Sequence, residues 1–169
     1  MSPEKFAFVI INVLGGAAVL GSYALWLSNP AHDAARLWGS IAGAARSAYV
    51  VSMLAAAAGY FGFAPWVLRL DSAQVGFTAL NLCFVLILFP SALWMPLAFE
   101  YLESPGPALW WAMRSVLLVV GLASLALVAL LAGISPAPSG KAIAVAGAAA
   151  FTVQTLLLDA LVWPRHFPA

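Results

Sequence analysis

The chain has 169 residues, of which 64% are hydrophobic and 8% charged, with a formal net charge of +1. A soluble domain of this size could not bury so much apolar surface in one core. Nucleic-acid binding needs clustered Lys and Arg, and the chain has none. What remains is an integral membrane protein.

An α-helix crosses about 30 Å of hydrocarbon with about 20 residues. Five apolar stretches of that order stand at 6–27, 44–67, 75–99, 108–133 and 142–163. In lipid each backbone amide must be paired internally, which favours helices. A transmembrane barrel alternates apolar and polar residues, and the run Phe84-Val85-Leu86-Ile87-Leu88-Phe89 does not. The expected fold is all-α: a single domain, an integral membrane bundle of five transmembrane helices with a short interfacial helix in the first loop.

Side A denotes the membrane face of the N-terminus, and side B the opposite face. The first helix follows Ser2-Pro3-Glu4, residues suited to a helix start. Its apolar run is longer than the core of a signal peptide, so it reads as a retained helix. Ala17 and Gly21 form a small-xxx-small pair suited to close helix contact. In the loop that follows, 34–41 reads as the interfacial helix, with Leu37, Trp38 and Ile41 as its apolar face. Gly39 and Gly43 supply a GxxxG spacing. The second helix carries Tyr49, Met53, Ala56 and Tyr60 at helical spacing, a stripe that reads as packing.

The third helix holds Pro90 and Pro96, each of which removes a backbone hydrogen bond and predicts a kink. Cys83, the single cysteine, reads as a small buried apolar residue. Arg114 lies about two turns inside the fourth helix. The fifth opens with alanine and glycine and turns polar toward side B, where Arg165-His166-Phe167-Pro168-Ala169 form a short tail. Lys and Arg divide nearly evenly between the two sides, so the positive-inside rule sets no orientation.

Aromatic residues and deep charges divide unevenly. Of seven tryptophans, Trp26, Trp38, Trp94, Trp110, Trp111 and Trp163 fall toward side B, and Trp66 alone toward side A. Both His32 and His166 are on side B, as are Arg46, Glu100, Arg114 and Asp159. Thr152, Thr155 and Asp159 follow i, i+3, i+7 and share one face of an α-helix. A carboxylate inside the membrane is costly and turns inward to a partner; Arg114, at similar depth on the preceding helix, is the expected one. Glu100 has Arg46 or Arg114 within reach as further pairs. The candidate site is therefore a polar, Trp-lined vestibule at side B built from Asp159, Arg114, Glu100, Arg46, Thr155, Thr152, Trp94, Trp111 and Trp163.

The common chemistries find little here. Two loop histidines without fixed spacing make no metal site, and no G-x-S-x-G, H-E-x-x-H or P-loop is present. Ser104, His166 and Asp159 lack the spacing of a nucleophilic triad, and an Asp159–Glu100 acid–base pair stands as the enzymatic alternative. The residues favour a non-enzymatic protein, and they name no cofactor.

Five helices in so short a chain, many tryptophans and a long first loop resemble the tryptophan-rich translocator-protein family, small membrane proteins that bind porphyrins and sterols. The resemblance runs through Leu27-Ser28-Asn29-Pro30, Ser47-Ala48-Tyr49 and Ala79-Leu80-Asn81. The family's Trp-Asn-Pro-Pro stretch is absent, since Pro30 is followed by Ala31-His32-Asp33. The resemblance covers topology, implies a tetrapyrrole or sterol ligand, and carries over no site residue.

Three readings follow. In the first, a multi-pass protein of the lipid bilayer binds or passes a small amphiphilic ligand through the side-B vestibule. In the second, the chain is an accessory subunit packing against a larger membrane complex or its own copies. The third is the translocator-like tetrapyrrole or sterol binder.

Overall fold

Helix α1 spans Pro3–Leu27, α2 Gly43–Val67, α3 Phe77–Glu103 and α4 Pro107–Gly133 in a computed structural model that describes residues 1–71 and 75–167. Helix α5 begins as the α-helix Lys141–Thr152, continues as the π-helix Val153–Val162 and ends in the 3-10 turn Trp163–Arg165. All five are long and apolar enough to cross a membrane. The protein is a polytopic, all-α membrane bundle, with no strand among the described residues. Pro168 and Ala169, the end of the expected tail, lie outside those residues.

Local chemistry accounts for the helix ends. Ser2 caps α1 by accepting from the Lys5 amide at 3.3 Å, with Pro3 at the first position and Glu4 in the first turn. Helix α3 runs on through Pro90 and Pro96 to Glu103, past the apolar stretch that ended at Phe99.

Each helix has defined neighbours: α1 lies along α3, α3 along α4, α4 along α5, and α5 along α2. Helix α2 is joined to α1 where the Tyr60 hydroxyl donates to Asn12 Oδ1 at 2.7 Å, while Asn12 Nδ2 donates to the Phe8 carbonyl at 2.8 Å. One close crossing is at Gly59 of α2 and Gly147 of α5, where a Cβ on Gly147 would stand 3.0 Å from the Gly59 Cα. Small residues permit such backbone contact. The expected contact residue Gly21 instead faces open space.

The first loop differs from its expected form. It holds a 3-10 turn, Ala34–Trp38, capped where the Ala35 amide donates to Asp33 Oδ1 at 2.9 Å. Leu37 and Ile41 are buried in the bundle and not spread on a membrane surface. Gly39 and Gly43 have positive φ angles of 52° and 56°, so they turn the chain and do not form a helix-contact motif. A side chain at Gly39 would run into the His166 carbonyl.

The C-terminal turn clasps this loop. Trp163 Nε1 donates to the Leu37 carbonyl at 2.8 Å, and the Ser40 amide donates to the His166 carbonyl at 2.9 Å. Buried side chains form two clusters. One, toward side A, centres on Phe8, Phe63 and Phe84. The other, toward side B, holds Met95, Phe99, Met113, Trp163 and Phe167, with Trp26, Trp38, Trp94 and Trp110 packed against it.

Candidate functional site: a cavity in the side-B half

A cavity of about 540 Å³ opens in the side-B half of the bundle, within the size range of small-molecule sites. Val19 and Tyr23 of α1 line it, as do Tyr49, Met53 and Ala56 of α2. Pro90, Ser91 and Trp94 contribute from α3, and Leu117 and Val120 from α4. The first loop adds Leu37 and Trp38, and α5 adds Gln154, Thr155, Asp159 and Trp163. The cavity lies on the side-B side of the Tyr60–Asn12 bond that joins α1 and α2.

Asp159 is the only charged residue in this wall among the described residues. Its Oδ1 accepts from the Tyr49 hydroxyl at 3.0 Å and from Gln154 Nε2 at 2.8 Å. Both bonds end on one oxygen. The π-helix makes the second of them possible. Its i→i+5 pattern brings residues five apart together, whereas in an α-helix they stand about 140° apart around the axis.

Two buried polar atoms in the same wall have no partner, Trp94 Nε1 and Gln154 Oε1. One is a donor and the other an acceptor. Aromatic contacts surround them. Trp94 packs on Tyr23 with ring centroids 6.0 Å apart and on Trp163 at 5.5 Å, and Trp38 meets Tyr49 edge-on at 5.9 Å.

The residues singled out from sequence separate into two groups. Asp159, Thr155, Trp94 and Trp163 stand in the cavity wall. Thr155 shares a 2.9 Å hydrogen bond with buried Ser124 of α4. Thr152 is buried but donates back to the Ala148 carbonyl at 2.9 Å. Arg114, Glu100, Arg46 and Trp111 are not part of the wall.

The expected Asp159–Arg114 ion pair is not formed. Arg114 holds its guanidinium 5.7 and 5.5 Å from the ring centroids of Trp110 and Trp111, in the first turns of α4. Asp159 Oδ1 instead accepts from two neutral donors, Tyr49 and Gln154. Exposed Arg46 lies over the outer loop ring of Trp38 at 4.6 Å, and Glu100 is exposed without an ion pair among the described residues. The ion-pair geometry found on side B is His32 Nε2 to Glu103 Oε1, at 3.2 Å. His32 stacks on Phe99 and Trp26, and His166 bonds to Ser40 Oγ at 2.9 Å, so the two histidines serve separate contacts. No group of three metal-ligating side chains occurs among the described residues.

Sequence reasoning missed Gln154 and Tyr23 and read Tyr49 as packing. A polar residue five positions before Asp159 was the available signal for Gln154, and α-helical periodicity hides it. Comparison with protein-family models, with curated proteins and with solved structures finds no match for this chain. The resemblance to the translocator-protein family therefore stands on topology and the residues quoted for it alone.

Proposed function

We propose that this membrane protein binds a small amphiphilic molecule in the side-B cavity, without catalysing a reaction on it. The observation that carries this reading is a cavity of about 540 Å³ whose apolar, aromatic wall holds a small polar cluster, Asp159 with Tyr49 and Gln154. An unsatisfied buried polar group costs about 1–3 kcal/mol, and a ligand that presents a donor to Asp159 Oδ2, which receives no hydrogen bond among the described residues, removes one such penalty. Most of the wall is apolar, as sites for largely hydrophobic molecules are.

The test is thermal unfolding of the protein in lipid nanodiscs against a panel of amphiphiles. A ligand at about 100 times its Kd stabilises by about 2.7 kcal/mol, which raises Tm by several degrees. Met53→Trp fills the cavity from an exposed wall position; it should unfold at a Tm near that of the unliganded protein and lose the ligand-induced rise. If no amphiphile shifts the wild-type Tm while a co-purifying chain does, the accessory-subunit reading replaces this one.

A further inference from the structure

We infer that the cavity selects lipophilic organic cations, molecules carrying a protonated amine or quaternary ammonium on an apolar body. The inference rests on the cavity being a ligand site and names the chemistry of its occupant. Three observations carry it. First, Asp159 stands in the wall with no Lys, Arg or His among the lining residues to balance it. A carboxylate held in a low-dielectric site without a cationic partner carries a large desolvation penalty that two neutral hydrogen bonds offset only in part.

Second, both of those bonds, from Tyr49 and Gln154, converge on Oδ1. Oδ2 receives none among the described residues, and Asp159 keeps accessible surface in the cavity wall. Third, the same wall carries Tyr23, Tyr49, Trp94 and Trp163, besides Trp38, whose ring already holds the Arg46 guanidinium at 4.6 Å. Aromatic faces attract cations, Trp most strongly, and the attraction grows when the pair is shielded from water. An anionic ligand would meet Asp159 in repulsion, which disfavours a carboxylate amphiphile.

A charge series of equal shape tests this. The probes are a phenylbutyl trimethylammonium, its neutral isostere with carbon in place of nitrogen, and the phenylalkyl carboxylate of matching length. Binding to the protein in nanodiscs is read by quenching of tryptophan fluorescence and by the Tm shift. The cation should bind at least about tenfold more tightly than the neutral isostere, and the carboxylate most weakly. Asp159→Asn should erase the preference for the cation and leave affinity for the neutral isostere within about twofold, since losing one partner of a close charge pair costs tenfold or more. Equal or tighter binding of the neutral or anionic probe overturns the cation assignment while the cavity remains a ligand site. Binding of none of the three overturns both. The charge preference is read on the wild-type chain, so the result stands even if Asp159→Asn fails to fold.

Discussion

Tyr49 and Gln154 meet on one oxygen of Asp159, so these three side chains from α2 and α5 act as a unit. A double-mutant cycle of Tyr49→Phe and Asp159→Asn should give a coupling energy of about 0.6 kcal/mol, and at most about 1.7 kcal/mol, the range for hydrogen bonds between membrane helices. Equilibrium unfolding in bicelles measures it; a coupling near zero would mean the bond contributes nothing in lipid. Asp159 was legible in the sequence because an acidic residue inside an apolar stretch has few explanations. Its partner was not. Arg114 lies at the right depth, but its guanidinium turns to the rings of Trp110 and Trp111. Depth along a helix is readable from residue number, whereas the direction a flexible cation takes is not.

Helix contacts carry a different kind of prediction. Gly59 and Gly147 allow α2 and α5 to touch backbone to backbone, and a Cβ on Gly59 would overlap the Gly147 carbonyl. Gly59→Ala should therefore force the two helices apart and destabilise the protein by about 1–3 kcal/mol, as overpacking does. Gly21→Ala meets open space and should be neutral or stabilising by up to about 1 kcal/mol through helix propensity. Thermal scans of the two variants side by side distinguish them, and equal effects would contradict the crossing. Both glycines sit in small-residue patterns, and the sequence favoured the wrong one. Such spacings are common by chance in a chain with 13 glycines. The π-helix Val153–Val162 was equally hidden, because π geometry is rare and its residues are ordinary helix formers. That is why Thr152, Thr155 and Asp159 were placed on one face while Gln154 went unnoticed.

Across the whole molecule, the five spans and the gathering of tryptophans toward side B were readable from the sequence, since length and interfacial aromatics follow directly from the bilayer. The order in which the helices pack was not. Lipid tails are as apolar as leucine, so partner choice depends on close packing that a hydropathy pattern does not record. Helix α1 shows the consequence. Only 6% of its spanning window is fully buried, against 44% for α3, and its packing is made mainly along α3. Its Tyr23 faces Tyr49 of α2 and Asp159 of α5 across the cavity that all three line. The central claim is that this space holds a small molecule, and native mass spectrometry of gently solubilised protein tests it most directly. The wild-type chain should retain a non-protein adduct of small-molecule mass that is absent from Met53→Trp. A wild-type chain that flies bare, or only with a stoichiometric partner chain and no small-molecule adduct, would contradict it.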